Sequence, residues 1–248
     1  MSKAQFLTSI CIIFIQLSCS NHRTIRTIKE GSFVVKANYI DSLRDGPTMV
    51  YNDSNRLLSV TNYKNGTREG ISKHFFHNGI VADSVQYKCD REYGFFTHFN
   101  QDGTIRHVNY SYFGLDYGPD LWYVKSVLKT FSFSDFGKEV IAKAIYKDNG
   151  ELDSIIMFNP SVSMQSMERN GKPMLRLFAL LPHIPDANQS YSIGLEASDN
   201  SIRKLADVQG RDFFIDTIMT APPAGFHYYL GCNLKAKHDS INKFFMVP

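Results

Sequence analysis

Short runs of alternating apolar and polar residues, separated by Gly, Asn and Asp, occupy most of the chain. Between Arg44 and Tyr123 they recur as GPTMVY, GISKHF, GFFTHF and GPDLWY. The glycines that open these runs stand 24 residues apart, and an aromatic follows each of them by five residues. These columns are Gly46, Gly70, Gly94 and Gly118, and Tyr51, Phe75, Phe99 and Tyr123. Alternation with a period of two, interrupted by turn residues, predicts β-strands.

A second column places Asn55, Gly79 and Gly103 inside two-residue turns. Asn-Gly and Asp-Gly accept positive φ at both turn positions, so each repeat predicts one β-hairpin. A single hairpin is marginally stable, and we expect successive copies to pair edge to edge and stack their column aromatics into one core. The segment AIYKDNGELDSIIMF repeats the tyrosine and the turn. We therefore predict a sheet of hairpin repeats over residues 44–160.

The rhythm changes after NPSVSMQSMERNGKP, and residues 165–248 predict a small β-sandwich. In SYSIGLEAS, alternation turns Tyr191, Ile193 and Leu195 inward, and FHYYLGCNLKA alternates in the same way, with Cys232 on its inner face. The expected fold class is all-β, with an N-terminal array of antiparallel hairpins followed by this sandwich.

The N-terminus predicts export. Lys3 precedes an apolar run from Phe6 to Leu17, which is too short to cross a bilayer and is typical of a signal peptide over residues 1–18. The following QLSC resembles a bacterial lipobox. This resemblance implies that Cys19 is acylated, that residues 19–43 form the lipid anchor and a polar tether, and that the protein lies on the periplasmic face of the outer membrane. Ordinary secretory cleavage near Ser18, with Cys19 incidental, is the alternative.

The composition excludes few classes of binding partner. The formal net charge of +3 is too small to indicate a nucleic-acid partner, and aromatics at 13% favour β structure. Outside the N-terminal segment only Cys89 and Cys232 remain, and they are expected to be two free thiols in different domains.

The sequence contains no common catalytic or phosphate-binding signature, so we expect no enzyme activity, cofactor or metal. His74 and His98 share a repeat column, but two strands separate them, or about 9–10 Å. With His77 and His107 they are interpreted as solvated histidines of the polar face. Trp122 is either a cap on the repeat core or an anchor for a partner.

The motifs YKNGTREG, FHNGIVADSVQYKCDREYG and FNQDGTIRHVNYSYFGLDYG resemble the MORN repeat, in the bacterial form found in YwqK-type proteins that are described as antitoxins. The resemblance implies a hairpin sheet and a lipoprotein of the Bacteroidetes. It does not select a function, because MORN arrays accompany lipid binding, scaffolding and catalytic domains alike. The ending AGFHYYLGCNLKAKHDSINKFFMVP resembles the closing hairpin of an immunoglobulin-like domain.

Asp-(Ser/Thr)-apolar triplets recur five times. They resemble the O-glycosylation motif of exported Bacteroidetes proteins, which implies sugars on Ser42, Ser84, Ser154, Thr217 and Ser240. Alternatively, Asp ends a turn and Ser or Thr begins a strand in each case.

Three functions follow as hypotheses. The first is an exported, membrane-anchored, non-enzymatic lipoprotein whose repeat sheet is a platform for a protein or glycan partner. The second is a structural accessory of an envelope or secretion complex that docks through the C-terminal sandwich, and the third is an enzyme with an unrecognised site. An exposed aromatic row on the repeat sheet favours the first, a bare apolar edge strand on the sandwich the second, and a deep pocket with convergent polar groups the third.

Overall fold

The protein is all-β in the residues that its computed structural model describes, which are 22–136, 139–158, 161–197, 202–208, 214–220, 222, 226–235 and 240–246. No helix occurs in these residues, so none is long and apolar enough to cross a membrane. The all-β class predicted from the alternation is confirmed. The predicted signal peptide and Cys19 lie outside the described residues.

One large antiparallel sheet runs from Arg23 to Phe158, and its strands pair in the order in which they follow one another along the chain, except that the two-residue strand Thr67–Arg68 pairs only with the strand that precedes it. Successive hairpins therefore add edge to edge, as the repeat predicts. Its strands are β1 (Arg23–Glu30), β2 (Phe33–Ile40), β3 (Leu43–Asn52), β4 (Leu57–Lys64), β5 (Thr67–Arg68), β6 (Gly70–Phe75), β7 (Val81–Lys88), β8 (Arg91–Phe99), β9 (Ile105–Tyr112), β10 (Leu115–Val124), β11 (Val127–Ser134), β12 (Val140–Tyr146) and β13 (Leu152–Phe158).

Backbone conformation explains the glycine column. The φ angles of Gly46, Gly70, Gly94 and Gly118 are 103°, 88°, 102° and 85°, a region in which a residue with a Cβ is strained. The strand register shifts between Ala37 and Tyr39 opposite the first of these glycines, and between Val85 and Tyr87 opposite the third. Glycine is therefore needed at a β-bulge that recurs once in each hairpin.

The tether predicted over residues 19–43 is wrong for its described part. Residues 23–40 form β1 and β2, which pair in full register from Arg23 opposite Ile40 to Glu30 opposite Phe33. The repeat explains these strands, because Gly31 and Tyr39 stand 24 residues before Asn55 and Tyr63. The array thus begins one copy earlier than residue 44.

Two smaller sheets follow the large one. The first has the order β14-β15-β18 and the second the order β17-β16-β19-β20. The predicted start at residue 165 falls inside a strand that begins at Val162. The strands are β14 (Val162–Arg169), β15 (Lys172–Leu180), β16 (Asn188–Ala197), β17 (Ile202–Val208), β18 (Phe214–Thr220), β19 (Phe226–Lys235) and β20 (Ser240–Met246).

One contact in these sheets is typical of immunoglobulin-like sandwiches. Near the start of β19, the Tyr228 hydroxyl donates a hydrogen bond of 2.8 Å to the carbonyl oxygen of Thr220, at the end of β18. A tyrosine near the start of the sixth strand that binds backbone a few residues upstream is the tyrosine corner of such domains. A constant-type domain pairs its fourth strand with the fifth, whereas here the fourth strand β17 pairs with the third strand β16.

The hydrophobic core lies where the last strands of the large sheet pack on the smaller sheets. Phe131, Phe133 and Ala144 of the large sheet and Leu177 and Leu230 of the smaller sheets belong to one buried cluster. The Tyr146 hydroxyl also donates a 2.7 Å hydrogen bond to the carbonyl oxygen of Pro185. The end of the repeat sheet and the sandwich therefore share a core.

The column aromatics are not that core, contrary to expectation. Tyr51, Phe75, Phe99 and Tyr123 are all partly exposed. A single-layered sheet has no second layer to cover them, and this covering layer begins only at the C-terminal end of the array. The predicted inner residues Tyr191, Ile193, Leu195 and Cys232 are buried in the shared core.

Candidate binding face of the repeat sheet

One face of the large sheet carries a row of polar and aromatic side chains that we call the histidine row. Its members stand directly opposite one another on consecutive strands. They are Ser59, His74, Asp83, His98, His107 and Trp122. Residues opposite one another in a sheet point to the same face, so these side chains are neighbours.

The centre of the row is held by two His–Asp contacts. His98 Nδ1 lies 2.6 Å from an Asp83 carboxylate oxygen, and His107 Nε2 lies 3.0 Å from one of Asp120. Only 24% of the His98 side chain and 14% of the His107 side chain are exposed. The interpretation of these two residues as solvated histidines is therefore wrong, whereas His74 and His77 are exposed.

Aromatic stacking continues the row to the surface. The His98 and His107 rings are parallel, with centroids 5.3 Å apart, and Trp122 stacks on His107 at 4.0 Å. Trp122 remains 48% exposed, so it does not cap the repeat core. The result is an exposed aromatic edge whose position is fixed by the imidazoles beneath it.

A ladder of tyrosines and arginines begins on β1 and runs alongside this row on the same face. Arg26 lies 4.1 Å from the centroid of the Tyr39 ring, Arg44 lies 5.2 Å from that of Tyr63, and Arg68 lies 4.1 Å from that of Tyr87. Tyr39, Tyr63 and Tyr87 are 24 residues apart, as are Arg44 and Arg68. Cation–π contact therefore joins strands within a repeat: β1 with β2, β3 with β4, and β5 with β7.

The ladder ends where the sequence departs from the repeat. The residue 24 positions after Tyr87 is Ser111. The residues 24 and 48 positions after Arg68 are Glu92 and Asp116. Glu92 stands directly opposite Tyr87, in the place that an arginine occupies beside Tyr63. In this column, the arginines thus give way to carboxylates from β8 onward.

A pocket of about 410 Å³ lies beyond the end of the ladder. Its lining includes Glu92, Asp116, Asp120, His98 and His107, with Phe96 and Tyr110 as aromatic walls, and it contains no Lys or Arg among the described residues. The side-chain carboxylates of Glu92 and Asp116 have no hydrogen-bond or ion-pair partner in the described part of the chain. Free carboxylates beside aromatic rings favour a cationic group, which gains both charge pairing and cation–π contact.

The arrangement of the histidines does not form a nucleophile–base pair. Both hydrogen-bonded contacts of His98 and His107 are to carboxylates, and neither imidazole reaches a Ser, Thr or Cys side chain among the described residues. An activated nucleophile needs such a contact. No group of three or more His, Cys, Asp or Glu side chains suited to a metal ion occurs in the described residues.

The two cysteines differ in exposure, and Cys232 is buried as the alternation of its strand predicts. Cys89 is exposed at φ 49° in the turn after β7, and Cys232 is buried in the shared core. Both are free thiols, as expected.

The five triplet positions occupy different environments. Ser42 is exposed in the turn before β3, and Ser84 and Ser154 are partly buried within β7 and β13. Thr217 lies within β18 and Ser240 begins β20, and their side chains are outside the described set. Asp83, Asp153 and Asp216 stand inside strands, so turn chemistry does not explain those three triplets.

No protein-family model matches the chain, and no curated protein is similar to it.

Proposed function

We propose that this protein is an exported, lipid-anchored, non-enzymatic binding protein whose repeat sheet is the platform for a protein or glycan partner. The observation that carries the proposal is the pocket on the histidine face, bordered by the Trp122–His107–His98 stack. It lies where the 24-residue pattern is interrupted, and departures from a structural rule are expected at functional sites. Neither the His–Asp pairs nor the stack is needed to continue the hairpin array.

The sign of the charge indicates what the partner presents. Glu92 and Asp116 replace the arginines of earlier copies, and Asp120 completes an acidic lining beside the imidazoles of His98 and His107. A lysine or arginine side chain of a protein, or an amino group on a sugar, fits this lining. The aromatic edge suits the apolar face of either partner.

The described edges of the sandwich give mixed support to the accessory hypothesis: the edge strands β17 and β18 expose Leu205 (46%) and Ile218 (41%), whereas β14 is polar. On β14, an edge strand of the three-stranded sheet, the exposed side chains include Ser163, Gln165, Glu168 and Arg169. Polar and charged side chains on an edge oppose pairing with another chain. The repeat sheet is the better-supported binding surface.

The anchoring part of the proposal rests on Cys19 and is tested by fractionation. Cys19→Ala removes the acylated thiol, and we expect the variant to leave the membrane fraction for the soluble periplasmic fraction. Cys89→Ala is the matched control, because it removes an exposed thiol that carries no lipid. Wild-type protein in the soluble fraction, or Cys19→Ala still bound to membranes, would contradict anchoring.

The binding part is tested with Glu92→Arg. This variant restores the arginine that the repeat places in the column of Arg44 and Arg68, so it is compatible with the fold while it reverses the charge of the pocket. We expect capture of the partner from detergent-solubilised envelopes to be lost. Glu69→Arg is the control, because Glu69 lies outside the pocket lining. Equal capture by both variants would contradict a binding role for the pocket.

A further inference from the structure

The first strand of the large sheet is an open edge. Strand β1 pairs with β2 on one side, and no described strand pairs with its other side. Ile25 is 72% exposed and Ile28 is 38% exposed. An edge with free backbone groups and exposed apolar side chains is a surface that another molecule can cover.

The charge of this edge is basic. Strand β1 carries Arg23, Arg26 and Lys29 against one carboxylate, Glu30. Arg26 stacks on Tyr39 and donates a 2.8 Å hydrogen bond to the carbonyl oxygen of Asp41, whereas Arg23 and Lys29 have no carboxylate partner among the described residues. Alternation places Arg23, Ile25 and Lys29 on one side of the strand. Exposed cations beside an exposed isoleucine suit a surface that is anionic and apolar beneath.

Chain length limits how far this edge can be from the acyl chains. Arg23 is four residues after Cys19. A fully extended chain covers at most about 3.6 Å per residue, so the edge lies within roughly 14 Å of the acylated residue. The headgroup region adds about 5–8 Å to each side of the hydrocarbon core, so a tether of this length keeps β1 close enough to contact the headgroups.

We propose that the β1 edge is a contact surface for anionic lipid headgroups, and that the repeat sheet stands edge-on upon the bilayer. The proposal rests on the acylation of Cys19 proposed above. The twelve consecutive strands from β1 to β13 (β5 pairs outside this order) are about 4.7–4.9 Å apart, so the far edge of the array is roughly 50 Å from β1. The array thereby acts as a spacer that holds the C-terminal sheets away from the membrane.

A second copy of the chain is the less suitable occupant of this edge. Two paired β1 strands would bring together six cations and only two carboxylates, and like charges directly opposite one another destabilise strand pairs. Anionic headgroups, by contrast, attract each basic residue near the surface and strengthen binding roughly fivefold per cation.

The test uses tryptophan fluorescence of the natively expressed full chain in vesicles of phosphatidylcholine and phosphatidylglycerol, with or without bromine on the acyl chains. Trp122 is the only tryptophan, so Trp122→Phe gives a silent background. Ile25→Trp then reports on the β1 edge, and Ile156→Trp is the matched control on the opposite edge strand β13, where Ile156 is 60% exposed. Vesicle flotation reports anchoring separately.

We expect bromine to quench Ile25→Trp and not Ile156→Trp, and quenching to weaken when Arg23→Gln and Lys29→Gln are added. Floating protein with both tryptophans unquenched, or both quenched equally, overturns the edge-on contact and leaves anchoring intact. An unquenched Ile25→Trp together with β1–β1 cross-linked dimers shows that a second copy covers the edge, which also overturns the proposal. Protein that does not float refutes acylation, and this proposal falls with it.

Discussion

Replacement of Phe133 by alanine tests whether the repeat sheet and the C-terminal sheets share one core. Phe133 belongs to β11 of the large sheet, is 0% exposed and lies in the same buried cluster as Cys232 of β19. Truncation of a fully buried phenylalanine costs about 3–5 kcal/mol. If the two parts are stabilised together, this loss of free energy raises the equilibrium constant for opening of the C-terminal sheets by roughly 10²- to 10³-fold or more, since each 1.4 kcal/mol changes an equilibrium constant about tenfold.

The assay is thiol labelling of the native protein. Cys232 is 3% exposed and reacts only when its sheet opens, whereas Cys89 is exposed and gives an internal reference for the reagent. We expect Phe133→Ala to accelerate labelling of Cys232 by the factor above. Phe75→Ala is the matched control, because Phe75 is a partly exposed column residue far along the array and is not part of the buried cluster. Unchanged labelling of Cys232 in Phe133→Ala would refute a shared core and restore two independent domains.

Two further predictions concern titration and modification. Burial raises the pKa of Tyr146 and Tyr191 above the ordinary phenol value of about 10. The stability that these two phenols contribute is therefore complete below that pH and is lost as the pH rises through their folded-state pKa values. Spectrophotometric titration should show at least two of the 13 tyrosines ionising only on unfolding, and ionisation of all 13 before unfolding would contradict this prediction. Glycosylation of the triplets predicts that the native protein is heavier than its lipidated chain by hexose-sized increments that disappear in a variant with all five sites replaced by Ala. A mass equal to that of the lipidated chain alone would end the glycosylation hypothesis. The five sites are Ser42, Ser84, Ser154, Thr217 and Ser240.

The hairpin array could be predicted because its determinants are local. Glycine at a bulge and Asn-Gly or Asp-Gly at a turn act within a few residues, and they recur at one interval. The first copy is hard to recognise because His22 stands where the opening glycine is expected and Thr27 stands where the column aromatic is expected. Gly31 and Tyr39 still follow the pattern. The turn position at Gly31 and the tyrosine at Tyr39 are the two repeat columns by which this first copy can be identified in the sequence.

The candidate site could not be predicted because it depends on register across strands. His98 and His107 are opposite each other only because the register shift of their hairpin falls between His98 and Phe99. A different bulge position would move one imidazole to the other face. The location of the core was missed for a related reason: which part of a single-layered sheet is covered depends on the docking of distant strands, which no local pattern reports.

The most direct test of the central claim is photo-cross-linking in intact cells with a benzophenone amino acid at position 122. Trp122 is 48% exposed beside the pocket, and position 71 is the control, because Ile71 is 51% exposed on the opposite face of the repeat sheet. The account predicts a discrete cross-linked species from position 122 that is absent from position 71 and is lost when Glu92→Arg is added. No adduct at position 122, or the same adduct from both positions, would contradict the assignment of the histidine face as the binding surface.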